Sequence, residues 1–383
     1  MFAFTFITLI LFTGYAILIS YYYFAWEGAK TFQLTDTLPS DRSVIISVII
    51  PVRNEEHTIR ACIESLFLQT YPFGLFEIII IDDFSTDSTR DVVRALHYDG
   101  LSLSCICLSD LPKEEAGRGY KKTAIGKGID AATGQLIVTT DADCTFDKDW
   151  LATIAAYYHV TGAKFIASPV KIASGSSFLA VFQILDFITL QGITGASVSK
   201  KIHSMCNGAN LAYEKKVFFE VDGFQDIEQI PSGDDMLLMH KIYRKYPANV
   251  HFLKSKSAVV TTKPEKTWTA FIHQRVRWAS KTSHYDDKRI FWTLLLVYLV
   301  NLCLLGLAVA GIWNAFYLFV LLVLLIAKTC IEYPFVYSAA TFFGQQKLMR
   351  YFAFLQPFHV LYTVFIGFLG KMGKYQWKGR AVK

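Results

Sequence analysis

The sequence contains few charged residues for its length. Asp, Glu, Lys and Arg make up 18% of the 383 residues and hydrophobic residues 53%, whereas charged residues make up about 25% of an average soluble protein. This composition excludes a disordered chain, which needs few apolar residues and much charge, and it argues against a wholly soluble protein. The net charge of +6 is too small to indicate nucleic acid, and we expect no nucleic-acid partner.

Cysteine pairs at metal-binding spacing are also missing. The seven cysteines are an odd number, and none of them forms a C-x-x-C pair. This argues against a disulfide framework or a zinc knuckle. Cys105 and Cys107 alternate in an apolar stretch and are interpreted as buried strand residues. The pattern fits a reducing compartment.

Long apolar runs lie at both ends of the chain. Residues 1–26 are long enough to span the bilayer, and we predict a retained anchor because no Lys or Arg precedes the run and no A-x-A-like site follows it. Three further spans are predicted within 290–372, near 291–311, 314–336 and 351–370. A basic tail, 373–383, follows. We therefore expect an integral protein of the inner (cytoplasmic) membrane with its catalytic domain in the cytoplasm.

The number of true spans remains open in the sequence. Three spans after a cytoplasmic domain would place the tail outside, whereas the Lys and Arg residues of the tail argue for the inside. Residues 177–199 are apolar but carry Gln183, Asp186 and Gln191. They are interpreted as an amphipathic helix on a core or membrane surface rather than as a span.

Residues 40–289 read as a soluble α/β domain. Apolar β-branched runs alternate with helical patterns, and the runs at 45–50 and 78–81 are continuously apolar, as in parallel strands buried on both faces. Strands are predicted at 44–51, 77–83, 101–109, 135–143 and 164–172, and helices near 55–69, 86–98, 121–132 and 147–160. Ligands of such sheets bind beyond the carboxyl ends of the strands.

Acidic residues follow two of these strands. Asp141 and Asp143 stand two apart where a strand opens into a loop, and their hard oxygen ligands suit Mg²⁺ or Mn²⁺, with substrate phosphates completing the shell. Asp82 and Asp83 end an earlier strand, where buried acids need a partner or a ligand, such as a base or a ribose. Asp87 is interpreted as a helix-capping residue.

Other polar segments have two interpretations each. The stretch Pro51-Val52-Arg53-Asn54-Glu55-Glu56 either cradles a nucleotide or supplies acids to the first turn of a helix. Lys121 and Lys122 either neutralise a diphosphate or form a solvated basic pair.

Two later motifs are equally ambiguous. Asp234 and Asp235, after Gly233, either cap a helix or provide a general base. The stretch Gln274-Arg275-Val276-Arg277-Trp278 is either a basic interfacial helix or a site for a diphosphate and a sugar.

Taken in order, these motifs resemble a membrane-anchored family 2 glycosyltransferase. The segments IISVIIPVRNEEHTI, EIIIIDDFSTDST, KKTAIGKGIDAATGQLIVTTDADC, NGANLAYEKKVF, GDDMLLM and QRVRW carry the resemblance over roughly 44–285. It implies a GT-A, Rossmann-like nucleotide-sugar-binding domain with one N-terminal and about three C-terminal transmembrane helices.

The resemblance also implies roles. Asp235 would be the catalytic base, and Asp141 and Asp143 would hold a divalent metal with the donor diphosphate. Gln274, Arg277 and Trp278 would contact the diphosphate and the acceptor, with Asp234 and Arg275 beside them. The remaining donor-binding residues would be Pro51, Arg53, Glu55, Asp82, Asp83 and Lys122.

The implied reaction is inverting transfer from a nucleotide sugar, a UDP-sugar being commonest in the family, to a membrane lipid or a lipid-linked glycan. A processive polysaccharide synthase is the alternative, although four apolar segments are few for a channel. A nucleotidyltransferase is disfavoured because residues 51–56 contain no Gly-rich loop. An inactive membrane-bound nucleotide-sugar binder remains the non-enzymatic reading.

Overall fold

The computed structural model describes residues 2–34, 44–112, 121–228, 230, 233–280, 287–372, 375–377 and 380–382. In these ranges the α-helices are α1 (Phe2–Glu27), α2 (Ile59–Phe67), α3 (Thr89–Arg94), α4 (Lys121–Ala131), α5 (Trp150–Thr161), α6 (Phe178–Ser199), α7 (Lys215–Glu220), α8 (Asp234–Lys245), α9 (Trp268–Ser280), α10 (Lys288–Ala310), α11 (Ala315–Phe342) and α12 (Phe352–Met372). The strands are β1 (Ile46–Val52), β2 (Phe76–Asp82), β3 (Ser102–Cys107), β4 (Leu136–Thr139), β5 (Phe165–Ala167), β6 (Val170–Ile172), β7 (Leu211–Glu214), β8 (Val250–Phe252), β9 (Val260–Thr262), β10 (Tyr375–Trp377) and β11 (Arg380–Val382).

The chain forms two compact units. One contains residues 30–173 and 204–263, and we call it the sheet unit. The other contains residues 1–29, 174–203 and 264–383, and we call it the helical unit. The helical unit takes in residues 174–203 and 264–289, which the sequence analysis had assigned to the domain at 40–289.

The sheet unit is built on a seven-stranded sheet in the order β3-β2-β1-β4-β7-β5-β8. Strands β1 to β4 are mutually parallel, as predicted. Every residue of β1 except Pro51 is buried, because helices cover both faces of a parallel sheet. The carboxyl ends of these strands lie at one edge, which is where the predicted site residues follow.

The far half of the sheet departs from the prediction. Strand β7, which the sequence analysis did not identify, runs antiparallel to both β4 and β5. The single strand predicted at 164–172 is wrong: β5 joins the large sheet, and β6 pairs with β9 in a separate sheet. Pro169 lies between β5 and β6, and a proline has no N–H to donate to a continuing ladder.

The helical unit contains the helices long and apolar enough to cross a membrane. Five described segments meet that criterion by length and composition: Ala3–Glu27, Phe178–Ser199, Lys288–Ala310, Ala315–Phe342 and Gln346–Lys371. Four of them agree with the predicted anchor and the three predicted C-terminal spans. In the tail, β10 and β11 pair antiparallel, and residues 373–374, 378–379 and 383 lie outside the described ranges.

The helix predicted at 177–199 is present as α6, but most of it is buried rather than lying on a surface. Of the 18-residue stretch of α6 that is most apolar, 72% is buried, compared with 17–28% for the other four segments. Gln183 is buried on one side of the helix and donates to the backbone oxygen of Glu265 at 3.0 Å. A helix whose faces are largely apolar packs in a protein core or spans a membrane, and α6 packs against α1 and α11.

Candidate active site

The loops that follow β1 and β2 are tied together by hydrogen bonds. Arg53 donates from one guanidinium nitrogen to the backbone oxygens of Asp83 at 2.6 Å and Phe84 at 2.9 Å. The side-chain oxygen of Asn54 accepts from the backbone N–H of Thr86 at 2.8 Å. Asn54 and Phe84 both have positive φ angles, 52° and 55°. Such backbone conformations are costly for residues with side chains and persist where the surroundings hold them, so this edge of the sheet has a fixed shape.

Glu55, Glu56 and Asp87 also form hydrogen bonds that hold these two loops. The backbone N–H of Glu55 donates to the Thr89 hydroxyl at 2.8 Å, and Glu56 accepts from the backbone N–H of Ser88 at 3.0 Å. Asp87 accepts from the backbone N–H of Thr89, the first residue of α3, at 3.1 Å, although the N-cap residue of that helix is Ser88. Burial acts to raise the pKa of Asp87, but the hydrogen bonds from Thr89 and Glu56 outweigh it and hold that pKa below its usual value.

Asp82 and Asp83 are both buried. The Asp82 carboxylate is fully buried and forms an ion pair with Arg90 through two guanidinium nitrogens, each at 2.7 Å. It also accepts from the backbone N–H of Ser85 at 3.2 Å. The carboxylate of Asp82 is therefore engaged by the protein itself, which sequence reasoning did not foresee because Arg90 lies eight residues further on.

Asp141 and Asp143 lie beyond the end of β4. The Asp141 side chain is 37% exposed, whereas Asp143 accepts from the Thr262 hydroxyl at 2.8 Å. Thr262 is at the end of β9, and nothing in its local sequence marked it. Both carboxylates therefore have partners in the protein, since Asp141 pairs with Lys121 and Asp143 with Thr262.

Lys121, rather than Lys122, is the lysine that meets these acids. Its Nζ lies 2.5 Å from Asp141 Oδ1 and 3.6 Å from Asp234 Oδ2. Lys122 is buried and donates to the backbone oxygen of Ile230. Burial acts to lower the pKa of Lys121, but the negative charges of Asp141 and Asp234 outweigh it and raise that pKa above its usual value. Lys121 is therefore a permanent cation among carboxylates.

Asp234 and Asp235 open helix α8 directly after Gly233, which has a φ of 83°. Asp235 Oδ2 accepts from the backbone N–H of Gly208 at 3.0 Å, and its Oδ1 accepts from Met236 N–H at 2.8 Å. The carboxylate is thus held by two backbone donors at a rigid helix start, which is the arrangement that a well-positioned base requires.

Gly208 lies next to Lys121, Asp234 and Asp235. A Cβ atom added to it would lie 3.3 Å from Lys121 Nζ, 3.4 Å from Asp235 Cβ and 3.5 Å from Asp234 Oδ2. Together with the contact of Lys121 with Asp141, this defines one group, which we call the acidic cluster: Lys121, Asp141, Asp234 and Asp235. Residues from three separate segments meet there.

The donor set of the acidic cluster fits a divalent cation that shares its ligands with a substrate. Carboxylate oxygens are the ligands that Mg²⁺ and Mn²⁺ prefer, and such ions usually take further ligands from phosphates and water. Among the described residues, no group of three or more His, Cys, Asp and Glu side chains is arranged to hold a metal ion by itself. The ammonium of Lys121 already lies against Asp141, so this position favours positive charge.

The QRVRW segment lies in helix α9 of the helical unit. Gln274 donates from Nε2 to Glu265 Oε1 at 2.9 Å. Arg275 is buried and forms an ion pair with Asp186 at 2.9 Å. Arg277 and Trp278 are half-buried. Arg275, which the sequence analysis had placed beside the acceptor, is therefore engaged inside its own unit.

Two family models match the chain. The model described as glycosyl transferase family 2 matches residues 47–221, and the model described as glycosyl transferase family group 2 matches residues 136–369, more than half of the chain. The chain belongs to the family 2 glycosyltransferases. The acidic cluster lies within the first match except for Asp234 and Asp235, which lie within the second.

Curated relatives are similar over different shares of the chain. A glycosyltransferase of Haloferax volcanii is 27% identical over 209 residues, 53% of this chain and 61% of the relative. The poly-β-1,6-N-acetyl-D-glucosamine synthase of Staphylococcus epidermidis is 26% identical over 349 residues, 88% of this chain and 79% of the relative. The chain thus spans less than two thirds of the first relative's length.

A solved structure is similar over almost the whole chain. The mannosyltransferase of Pyrobaculum calidifontis, solved in complex with GDP-mannose and Mn²⁺, has a TM-score of 0.58 at 18% identity and covers 93% of this chain and 99% of its own. At that identity the likeness establishes the fold alone. The GT-A fold predicted from the sequence, with apolar helices before and after it along the chain, is confirmed.

Proposed function

We propose that the chain transfers a sugar, with inversion, from a nucleoside-diphosphate donor to a hydroxyl group of a membrane lipid or lipid-linked glycan. The single observation that carries this proposal is the acidic cluster, in which one cation and three carboxylates from three segments of the chain meet. By the family resemblance we expect a UDP-sugar, an enzyme of the inner membrane and a catalytic domain that faces the cytoplasm.

Asp235 is the proposed base. Its carboxylate takes the proton of the acceptor hydroxyl as that oxygen bonds to the anomeric carbon and the bond from that carbon to the diphosphate breaks. The electron pair of the broken bond leaves with the nucleoside diphosphate, so charge and atoms balance. No enzyme nucleophile takes part, and a single displacement inverts the anomeric configuration. The two backbone N–H groups on Asp235 keep its oxygens oriented.

Lys121 is proposed to stabilise the leaving diphosphate, and it takes the place that the sequence analysis gave to Lys122. Its ammonium is already held among carboxylates and remains charged at any working pH. A divalent ion held by Asp141 and Asp143 would neutralise further charge on the same diphosphate. Asp234 holds Lys121 from the other side. Together these residues direct positive charge to the point where negative charge develops.

The nucleoside is proposed to bind at the tied loops after β1 and β2. The family resemblance assigns Asp83, with Asp82, to the base, and the Asp82 carboxylate is also paired with Arg90. Arg53 and Glu55 shape the loop, and Pro51 ends the buried part of β1. Our assignment of Gln274, Arg277 and Trp278 to the diphosphate and the acceptor rests on the sequence motif.

A second candidate is processive polymer synthesis. The similarity to the poly-β-1,6-N-acetyl-D-glucosamine synthase of S. epidermidis extends over 88% of the chain, so it includes at least part of the apolar segments. A polymerase and a single-addition enzyme would use the same acidic cluster, and the length of the product separates them.

The test is nucleoside-diphosphate release by the full chain purified in detergent. UDP-N-acetylglucosamine, UDP-glucose, UDP-galactose and GDP-mannose would be offered with Mn²⁺ or Mg²⁺, with and without vesicles of bacterial lipid extract. We expect one donor to support release that requires lipid and metal and is lost in Asp235→Asn, but not in the exposed control Asp226→Asn. Release without lipid, together with polymer, would favour the synthase. Binding of a donor without release from any of them would contradict both.

A further inference from the structure

A buried arginine in the helical unit has an incomplete set of partners. The Arg275 side chain is 2% exposed, and none of Nε, NH1 and NH2 donates a hydrogen bond within the described ranges. Its charge is met by the carboxylate of Asp186, with NH2 at 2.9 Å from Oδ2. A buried guanidinium needs such a counter-charge, because taking it out of water is otherwise too costly.

The same guanidinium lies against two aromatic rings of its own helix. Its Cζ is 4.2 Å from the ring centroid of Trp278 and 5.0 Å from that of Phe271. A cation over an aromatic face is attracted by the ring, most strongly by tryptophan and most strongly when both are desolvated. The Trp278 ring also packs near Phe187, at 6.0 Å between centroids. Arg275 and Phe187 thus define where the indole lies.

Asp186 and Phe187 are adjacent residues of helix α6, whereas Arg275 and Trp278 are on α9. The other oxygen of Asp186 lies 4.0 Å from Nε2 of His359 on α12, so three helices converge on this carboxylate. Asp186 holds Arg275 by charge, Arg275 lies over the Trp278 ring, and Phe187 of α6 packs near the same ring.

We propose that Asp186 and Arg275 are positioning residues that set the orientation of the Trp278 indole for acceptor binding. This rests on the proposed function, because Trp278 is assigned to the acceptor there. Asp186 itself does not touch a substrate. Loss of the Asp186 carboxylate frees Arg275 from its position over the Trp278 ring, and the indole then adopts several orientations.

The competing explanation is that the Asp186–Arg275 ion pair only stabilises the packing of α6 against α9, which we call a brace-only role. A matched control exists in the same unit: Lys328 and Glu332 form an ion pair at 2.7 Å that is also buried, and Gln356 bonds to both. Within the described part of the chain, their hydrogen bonds are made with Gln356 and Tyr15 rather than with Trp278. A brace-only role predicts that loss of either pair has the same consequences.

The first test observes Trp278 without any substrate. The full chain is labelled with 5-fluorotryptophan, and of the seven tryptophan signals that of Trp278 is assigned by its loss in Trp278→Phe. We expect Asp186→Asn and the double variant Asp186→Asn/Arg275→Gln to shift and broaden this signal, with partial return in Asp186→Glu. Lys328→Met/Glu332→Gln should leave it unchanged. An unchanged signal in Asp186→Asn would overturn the proposal.

The second test measures kinetics with vesicles of bacterial lipid extract as the acceptor source. Asp186→Asn should raise the acceptor KM by about 10- to 100-fold, as small misplacements of binding groups do, with the donor KM unchanged. The double variant removes both buried charges and should regain thermal stability, yet keep the raised acceptor KM. If the acceptor KM of the double variant returns to the wild-type value together with thermal stability, the Asp186–Arg275 pair only stabilises helix packing. If the wild type releases no nucleotide, the proposed function fails, while the fluorine signal still decides the positioning.

Discussion

Replacing Lys121 by methionine tests the acidic cluster most directly. Lys121 Nζ lies 2.5 Å from Asp141 Oδ1, which corresponds to about 6–7 kcal/mol of gross attraction at an effective dielectric constant of about 20. Because the Asp141 side chain is 37% exposed, water screens much of this, and a net value of about 2–3 kcal/mol is typical of a hydrogen bond to a charged group. We assume an interaction of similar strength with the leaving diphosphate.

On that basis Lys121→Met should lower kcat/KM by about 30- to 160-fold, since each 1.36 kcal/mol is a factor of ten. The assay is nucleoside-diphosphate release with the donor that the wild type uses. Mn²⁺ affinity of the free protein should not fall, because the substitution removes a cation from a group of carboxylates. Manganese binding can be measured by electron paramagnetic resonance.

The neighbouring lysine supplies the control. Lys122 is buried and donates to the Ile230 backbone oxygen, so Lys122→Met should lower the melting temperature while kcat/KM stays within about threefold of wild type, a change of less than 0.7 kcal/mol. Equal losses of kcat/KM in the two variants, or wild-type turnover in Lys121→Met, would refute the reasoning. Loss of both manganese binding and turnover in Lys121→Met would show that the substitution had collapsed the site.

Three further predictions concern the sheet unit. Asp235→Asn should lower the rate of transfer by at least about 100-fold, the usual contribution of a general base, with an unchanged melting temperature; turnover near wild type would refute its role. Chelation with EDTA should abolish release, and Mn²⁺ or Mg²⁺ should restore it in the wild type but not in Asp141→Asn/Asp143→Asn; full activity in EDTA would exclude the metal. Arg90→Met should cost about 3–5 kcal/mol of unfolding free energy, because it leaves the fully buried Asp82 carboxylate without its counter-charge; a urea melt within 1 kcal/mol of wild type, on the scale expected of a surface substitution, would contradict this.

The parallel half of the sheet could be predicted from the sequence because its signals are local. Continuously apolar runs marked β1 and β2, and both are buried parallel strands. The predicted helix at 86–98 is only α3, Thr89–Arg94, since residues before it are used to tie two loops together. The strand β7 escaped prediction because its direction and its neighbours depend on pairing with β4 and β5, which lie far away in the chain.

The residues of the candidate site show the same contrast between local signals and long-range contacts. The sequence by itself determined which residue types would be present: carboxylates after buried strands, acids at a helix start and a basic aromatic helix. Their spacing is local, and it is enough for a family resemblance. The sequence could not show whether Lys121 or Lys122 contacts the carboxylates. Adjacent residues of a helix point about 100° apart, and only the packing of the helix decides which one faces the site.

Only the tertiary structure decided which charges meet. Arg90 forms an ion pair with Asp82, and Asp186 forms one with Arg275. Lys121 lies between Asp141 and Asp234 and pairs with both. Each pair joins residues from separate segments, and electrostatic attraction depends on the distance and burial that folding creates rather than on separation along the chain. The sequence therefore determined the chemistry available to this protein, and folding determined which groups remain for a substrate.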